Sequence, residues 1–314
     1  MALFSRKPAP AVLSAPAGPA GKRAYVIGDV HGCADALETV LAIVERDVAE
    51  SGKAECSLVF LGDLVDRGPD SRRVVERVMR LCEPGAALGK GEPHGKDAAR
   101  GWGWAHGQAI CLMGNHEDTL LRAWRGDGRV MGDWLRFGAD ATLRSYGIDV
   151  PERKPGQKRP DRKRLLELMR RAVPRNHVDF LSGLPLMVRF GNFLCVHAGI
   201  DPARKIAVQR DEDLLWIRDP FLSARSFRDR GVCVVHGHTV TDRARLHTAR
   251  IGIDTGVYRT GRLSVLRIQG TDLRVASSAA GEGKFRAVEI AVRDAAPENG
   301  ALEGAEESEQ WHRA

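Results

Sequence analysis

Three apolar segments of the chain are followed directly by acidic or amide side chains. These segments lead into Gly-Asp-Val-His at 28–31, Gly-Asp-Leu-Val-Asp-Arg-Gly at 62–68 and Gly-Asn-His-Glu at 114–117. A single Gly-Asp after a strand often only makes a turn or caps the next helix. Three strand ends that together carry aspartates, an asparagine and two histidines predict one shared metal centre.

Two further histidines complete this set, because His197 and His238 each come at or just past an apolar run in the second half. Asp29 and His31 are two positions apart, so their side chains lie on the same side of an extended stretch. Carboxylate, imidazole and amide oxygen ligands suit Mn²⁺, Fe and Zn²⁺. The candidate metal ligands are Asp29, His31, Asp63, Asn115, His197 and His238.

The elements that must position these residues alternate between strand and helix in the first half. Residues 23–30 and 57–61 are apolar and rich in branched side chains, which is typical of buried strands. Residues 34–50 and 71–82 carry one apolar face at helical spacing. This order predicts an α/β sheet whose loops at the carboxyl ends of the strands hold the ligand site.

Helical patterns and then strand patterns continue through the second half. A third strand is predicted at 109–113, and helices are predicted at 115–124, 131–146, 165–172 and 176–181. Short strands separated by turns follow at 187–190, 192–197, 231–236, 245–254, 262–269 and 285–292. We predict that these later strands form a second sheet packed against the first, within one domain.

The composition favours a globular protein that acts on anionic molecules. The 314 residues carry a formal net charge of +7, but the basic residues are scattered and lack the aromatic-basic pattern of an RNA-binding sheet. No apolar run approaches the roughly 18 to 20 residues of a membrane span, so we expect neither nucleic acid nor a membrane as a partner. Six widely spaced cysteines without a Cys-x-x-Cys pair indicate buried thiols and a cytoplasmic location.

The ends of the chain and two internal segments differ in composition from the rest. Residues 1–22 are predicted to be a disordered leader, 23–292 the folded domain and 293–314 an acidic disordered tail. Residues 83–108, which include Trp102 and Trp104, are predicted to be an insertion loop. The basic segment 151–164 is interpreted as solvated surface, with substrate docking as the alternative.

In this order, the motifs resemble the signature of the metal-dependent phosphoprotein phosphatase (PPP) family of calcineurin-like metallophosphoesterases. The resemblance extends from about Tyr25 to Gly256 and includes His-Ala at 197–198 and Gly-His at 237–238. It implies an α/β (α+β) fold in which two mixed β-sheets pack as a sandwich flanked by helices. It also implies two divalent metal ions per chain, with Mn²⁺ expected and Fe or Zn²⁺ as alternatives.

The ligands of that family carry over residue by residue. The first metal would be held by Asp29, His31 and Asp63. The second would be held by Asp63, Asn115, His197 and His238. Asp63 would therefore bridge the ions, and a hydroxide activated by both would attack phosphorus in line.

The same resemblance implies four catalytic residues. His116 would protonate the leaving group as general acid, and Asp66 would orient it. Arg67 would bind phosphate oxygens through its planar fork. Residues 214–218, Leu-Leu-Trp-Ile-Arg, resemble the bacterial form of the segment that supplies a second arginine, so Arg218 is assigned and Arg230 is the alternative.

Two other residues lie within or beside the motifs. Many calcineurin-like enzymes have Gly-His-x-His, whereas His236 precedes the Gly-His pair of this chain, so we expect it to be structural or supporting. Asp254, in Ile-Asp-Thr-Gly at 253–256, either supports a ligand histidine or makes a turn.

The resemblance implies an enzyme, a metallophosphoesterase, and we predict a serine/threonine protein phosphatase. Dinucleoside polyphosphate hydrolases share the motifs at 32–33 and 65–68, so diadenosine tetraphosphate is the alternative substrate. A catalytically silent phosphate-binding or scaffold protein would lack a ligand or His116, and neither is missing. The expected partner is thus a phosphorylated protein or a nucleotide, and no oligomeric state follows from the sequence.

Overall fold

A computed structural model describes residues 15–50, 54–83, 109–150, 161–229, 231–247 and 249–290. The predicted leader as far as residue 14, the insertion from residue 84, residues 151–160 of the basic segment and the whole predicted tail lie outside these ranges. Within them, no helix is both long enough and apolar enough to cross a membrane. The cytoplasmic location stays a prediction.

The described strands form two six-stranded sheets with helices outside them. The strands are β1 (Lys22–Ile27), β2 (Glu55–Phe60), β3 (Ala109–Cys111), β4 (Met187–Phe190), β5 (Phe193–Val196), β6 (Cys233–His236), β7 (Arg245–Leu246), β8 (Arg250–Gly252), β9 (Ser264–Gln269), β10 (Asp272–Ser277), β11 (Arg286–Ala287) and β12 (Glu289–Ile290). The helices are α1 (Ala34–Glu50), α2 (Ser71–Cys82), α3 (Asn115–Arg125), α4 (Gly128–Trp134), α5 (Ala139–Ser145), α6 (Arg162–Ala172), α7 (Arg175–Ser182), α8 (Asp211–Trp216) and α9 (Val257–Thr260).

The first sheet has the strand order β11-β10-β9-β1-β2-β3. Strands β1, β2 and β3 are parallel, so their carboxyl ends meet at one edge. Strand β9 pairs with β1 in the antiparallel direction. The second sheet has the order β12-β7-β8-β6-β5-β4, with β5, β6 and β8 parallel. Both sheets therefore combine parallel and antiparallel pairs, which confirms the predicted fold class.

The apolar side chains of β1 alternate between the two sides of the first sheet. Ala24 and Val26 lie in the layer between the sheets, together with Cys195 and Val235 of the second sheet. The intervening Tyr25 belongs to the core beneath the helices. Because β1 is buried on both faces, its sequence is nearly continuously apolar. This sandwich brings the carboxyl ends of strands from both sheets to one place.

Two helices of the first half match the predicted bounds. Helix α1 buries Leu37, Val40, Leu41 and Val44, the face that its spacing predicts. Helix α2 buries Val74, Val75 and Val78. All six cysteines are free thiols, and four of them are buried, as predicted.

The prediction of one helix over 131–146 is wrong. The structure has two helices there, α4 and α5, and Gly138 between them adopts a φ of 93°. This left-handed conformation interrupts helical hydrogen bonding and is accessible to glycine without strain. The break turns α5 back so that Gly138 accepts a backbone hydrogen bond from Arg67.

The predicted order of the last strands also needs correction. The expected single strand 245–254 is a hairpin of β7 and β8. Strand β9 and the unpredicted β10 join the first sheet, and the expected strand 285–292 includes β11 and β12, which belong to different sheets. Alternating apolar residues identify a strand but not its partner, because partner choice depends on contacts between distant segments.

Candidate metal centre

The six candidate ligands follow five strands whose carboxyl ends meet between the sheets. Asp63, in the loop after β2, lies between histidines from both sheets. Its Oδ2 is 3.6 Å from Nε2 of His31, and its Oδ1 is 3.4 Å from Nε2 of His197. Asp63, His197 and His238 also offer ligand atoms within 4.8 Å of one another. The two oxygens of Asp63 thus face two separate groups of ligands.

Asn115 joins the two histidines of the second sheet. It is the first residue of α3, and its Oδ1 lies 2.8 Å from Nε2 of His197 and 3.0 Å from Nδ1 of His238. The short β3 ends only four residues before Asn115, so the sheet itself sets the position of this amide. The structure therefore brings all three residues predicted for one side of Asp63 into contact.

The side chain of Asp29 is buried, and only one of its two carboxylate oxygens has a hydrogen-bond partner among the described residues. Its Oδ2 accepts a hydrogen bond of 2.9 Å from the backbone N–H of His238, whereas its Oδ1 has no partner among the described residues. A side chain at Gly237 would collide with this oxygen, so the close approach requires glycine. Burial, and then the nearby carboxylates of Asp254 and Asp63, raise the pKa of Asp29 well above its usual value.

Backbone carbonyls fix the tautomers of two histidines. His31 donates from Nδ1 to the carbonyl of Val65, and His197 donates from Nδ1 to the carbonyl of Leu61, each over 2.9 Å. Burial lowers the pKa of both imidazoles. A neutral ring that donates from Nδ1 keeps a lone pair on Nε2, which is the form that binds metal.

This donor set fits divalent cations. In the contacts of Asp63 with His31 and His197, an imidazole lone pair faces a carboxylate oxygen with no proton between them. A bound cation would satisfy both atoms, and it would also satisfy the unpaired oxygen of Asp29. Mixed carboxylate, imidazole and amide ligands suit Mn²⁺, Fe and Zn²⁺.

His116 lies beside this centre and forms a pair with Asp66. Its Nδ1 is 2.6 Å from Oδ2 of Asp66, and its Nε2 is 3.9 Å from Oδ2 of Asp63. Burial lowers the pKa of His116, but the carboxylates of Asp63 and Asp66 outweigh burial, so that the net direction is upward. An imidazole held in this way can carry a proton near neutral pH.

Asp66 is surrounded by hydrogen-bond donors that the sequence did not indicate. Trp134 donates from Nε1 to Oδ2 over 2.7 Å, and Thr142 donates from its hydroxyl to Oδ1 over 2.6 Å. Both residues belong to the helices on either side of the break at Gly138. Only the tertiary fold brings them to Asp66, because they lie more than 60 positions away in sequence.

Glu117 holds the loop of Asp63 through its buried carboxylate. It accepts hydrogen bonds from the backbone N–H groups of Asp63 at 2.7 Å, Leu64 at 2.8 Å, Val65 at 3.2 Å and Gly114 at 3.0 Å. The bond to Gly114 is half of a capping box at the start of α3. The sequence signal for this residue is a glutamate at the third position of a helix. That signal predicts only the helix cap and not the hydrogen bonds to the loop of Asp63.

Backbone strain is concentrated at the centre. Among the described residues, the non-glycine residues with positive φ are His31 (43°), Asp63 (50°), Asp66 (72°), Arg67 (70°) and His238 (61°). Such conformations cost on the order of 1 to 3 kcal/mol each and persist only where surrounding contacts impose them. All five are candidate site residues.

Two arginines border the centre without carboxylate partners in the described part of the chain. Arg67 places Nη2 3.5 Å from Nε2 of His116, and its guanidinium lies over the ring of Tyr258 at 4.6 Å. Arg218 donates to the hydroxyl of Thr239 over 3.1 Å, while its buried Nε has no partner. Arg230 lies outside the described residues.

The remaining two residues singled out in the sequence do not contact the ligands through their side chains. His236 is buried with its ring edge against Phe221 and shares a 3.0 Å contact with the carbonyl of Gly237. Asp254 accepts a hydrogen bond from the backbone N–H of Gly256 over 2.8 Å, which closes a turn. Burial raises the pKa of Asp254 to about 6. Among the described contacts, Asp254 supports no histidine.

Curated relatives are similar over most of the chain. A symmetrical bis(5'-nucleosyl)-tetraphosphatase of Paracidovorax citrulli is 28% identical over 271 residues, which cover 79% of this chain and 92% of that protein. A protein named bis(5'-nucleosyl)-tetraphosphatase PrpE [asymmetrical], from Bacillus velezensis, is 26% identical over 263 residues, which cover 77% and 87% of the two chains.

Solved structures are similar in fold. One named as a candidate diadenosine tetraphosphatase has a TM-score of 0.53 at 22% identity, and the match covers 85% of this chain and all of that chain. A cold-active protein tyrosine phosphatase has a TM-score of 0.54 at 18% identity, with 85% and 78% covered. The family model described as calcineurin-like phosphoesterase matches residues 22–260. The chain therefore belongs to the calcineurin-like phosphoesterase family, and it is a metallophosphoesterase.

Proposed function

We propose that the protein hydrolyses phosphate esters with two divalent ions and His116 as general acid. The observation that supports this best is the position of Asp63. Its two oxygens face His31 and His197 on separate sides, and its Oδ2 is 3.9 Å from Nε2 of His116. Metal ligands and a proton donor thus surround one carboxylate.

The ligands divide into two sets that share Asp63. The first set is Asp29, His31 and Asp63, and the second is Asp63, Asn115, His197 and His238. Two bound ions would supply an activated water and would neutralise the phosphoryl oxygens. Mn²⁺ is the metal that we expect, with Fe or Zn²⁺ as alternatives.

The chain's own residues would bind the phosphate and move one proton. Arg67 and Arg218, which lack carboxylate partners among the described residues, have guanidinium groups that match the geometry of phosphate oxygens. His116 would give the proton on Nε2 to the leaving oxygen. Asp66 would hold the ring through Nδ1, so that Nε2 faces the substrate.

Metal counting tests this assignment directly. Wild-type protein loaded with Mn²⁺ should carry two ions per chain by elemental analysis and should hydrolyse p-nitrophenyl phosphate. Asp63→Asn should lose both ions together because both sets share this residue. Retention of two ions by Asp63→Asn would contradict the bridging role, and an inactive, fully loaded wild type would contradict the enzyme assignment.

Two substrate classes are proposed for this centre. Phosphoserine or phosphothreonine in proteins is supported by the complete set of PPP motifs, from 28–31 to 237–238. A dinucleoside polyphosphate is supported by the names of the two curated relatives.

Parallel assays of a phosphopeptide panel and of diadenosine tetraphosphate with the Mn²⁺-loaded protein separate these classes. Cleavage of diadenosine tetraphosphate is followed by its products, since central cleavage yields two ADP and off-centre cleavage yields ATP and AMP. A preference of at least about 100-fold in kcat/KM, roughly 2.7 kcal/mol, would assign the class. If the phosphopeptides are preferred by that margin, the dinucleotide assignment is wrong, and the reverse result removes the protein phosphatase.

A further inference from the structure

One aromatic ring beside the centre contacts two arginines. The guanidinium carbon of Arg67 is 4.6 Å from the ring centre of Tyr258, and that of Arg259 is 5.2 Å from the same point. The two carbons can be no farther apart than the sum of these distances. Tyr258 also lies edge-on to the ring of His31, with 5.3 Å between ring centres. The ring that both arginines contact therefore borders the candidate metal centre.

Arg259 has no acidic partner in the part of the chain that the structure describes. Many arginines elsewhere do pair, such as Arg77 with Glu38 at 3.0 Å and Arg274 with Asp272 at 3.0 Å. Arg259 is exposed, and its guanidinium contacts the face of Tyr258. A cation–π contact orients a guanidinium without neutralising it. Arg259 is thus held in place with its charge available.

Arg67 and Arg218 already supply the fork-shaped groups proposed for the phosphate that is attacked. A third guanidinium, on the same aromatic ring that Arg67 contacts, exceeds what a single phosphate requires. It matches a substrate with a further phosphate beside the reacting one. In a phosphate chain, neighbouring phosphates each carry negative charge, and bidentate guanidinium contacts are the strongest that a side chain offers them.

We propose that Arg259, held on Tyr258, forms a subsite for a second phosphate of the substrate. The preferred substrates are then phosphate chains, of which dinucleoside polyphosphates are one kind, rather than single phosphate esters. This inference rests on the proposed function, because it places the subsite next to the phosphate that Arg67 binds. It assigns to Arg259 a role that the hydrolytic residues do not fill.

The first test compares two substrates in Mn²⁺-loaded protein. The measured quantity is the ratio of kcat/KM for diadenosine tetraphosphate to kcat/KM for p-nitrophenyl phosphate. Arg259→Gln should lower this ratio about tenfold, the lower end expected for a lost charged hydrogen bond at an exposed position. Arg259→Lys, which keeps the charge but not the planar fork, should lower it less. Arg274→Gln, an exposed and paired arginine on β10, is the matched control and should leave the ratio unchanged.

The second test does not depend on turnover. Calorimetric titration with tripolyphosphate and with orthophosphate should show tighter binding of tripolyphosphate to the wild type. In Arg259→Gln, the ratio of the affinity for tripolyphosphate to that for orthophosphate should fall about tenfold, again the low end for a charged hydrogen bond. In Arg274→Gln this ratio should stay as in the wild type.

The outcomes separate the subsite from the hydrolytic assignment. The subsite is wrong if Arg259→Gln lowers kcat/KM for both substrates equally, or for neither, and still binds tripolyphosphate as much more tightly than orthophosphate as the wild type does. The subsite is also wrong if the wild type binds tripolyphosphate no better than orthophosphate. The wild type could hydrolyse no phosphate compound and yet bind tripolyphosphate more tightly than orthophosphate, with that preference lost in Arg259→Gln. The proposed function would then fail while the subsite stands.

Discussion

Two regions next to the candidate centre differ in how their polar groups are satisfied. The carboxylate of Asp66 is buried and accepts hydrogen bonds from three side chains, those of His116, Trp134 and Thr142. Across the centre, the buried Nε of Arg218 has no partner among the described residues, and neither has Oδ1 of Asp29. One region is complete within the chain, while the other has unpaired groups.

This difference separates positioning from binding. An unpaired buried polar group costs about 1 to 3 kcal/mol, and a ligand that pairs with it recovers that cost. The pocket of Asp66, whose carboxylate is fully hydrogen-bonded, holds that side chain in one orientation. This suits a residue proposed to align a proton donor. The unpaired groups of Asp29 and Arg218 instead match a cation and an anion. The following predictions test this division, from the largest expected effect to the smallest.

Replacing His116, the proposed proton donor, should have the largest effect. His116→Asn should lower kcat by about 10² to 10⁴ because it removes general acid catalysis. Elemental analysis should still find two metal ions, since His116 is not among the proposed ligands. His247→Asn provides a control at a histidine away from the centre. Wild-type turnover in His116→Asn would remove this residue from the mechanism.

Metal removal tests the unpaired carboxylate. Mn²⁺ at about 100 times its dissociation constant should raise the wild-type free energy of unfolding by about 2.7 kcal/mol. Asp29→Asn should lose much of this gain, yet without metal it should be at least as stable as the wild type, because a neutral amide replaces a buried carboxylate. Urea denaturation with and without chelator measures both. A metal-free variant that is much less stable would show that Asp29 acts structurally.

The assignment of the second phosphate-binding arginine can be tested by exchange. Arg218→Lys should lower kcat/KM for p-nitrophenyl phosphate about tenfold, because lysine cannot make two parallel hydrogen bonds to phosphate. Arg230→Lys, at the alternative position, should have little effect. A larger loss in Arg230→Lys than in Arg218→Lys would transfer the role to Arg230.

The smallest effect is expected within the satisfied pocket. Trp134→Phe removes one of three side-chain donors to Asp66 and should lower the free energy of unfolding by about 1 kcal/mol more than Trp124→Phe. The control is matched, since Nε1 of Trp124 is buried without a partner among the described residues. Urea denaturation of both variants gives the difference. Equal losses would mean that the bond to Asp66 contributes nothing.

The fold was predictable where local pattern and packing agree. The bounds of α1 and α2 follow from one apolar face each, and the strand ends follow from the change from apolar to polar residues. The helix break at Gly138 and the return of β9 to the first sheet were not predictable in this way. Both depend on contacts between segments distant in sequence, which a periodicity does not contain.

The sequence by itself determined the chemistry of this protein. It specified the candidate ligand types, their order along the chain and the class of reaction, because each motif pairs a strand end with side chains of the types that bind metal or phosphate. Tertiary structure alone decided the surroundings: that Trp134 and Thr142 hold Asp66, that Glu117 gathers the loop of Asp63, and that Arg259 shares a ring with Arg67. The physical reason is that ligand chemistry belongs to the residue itself, whereas hydrogen bonds and stacking need partners that only folding brings together.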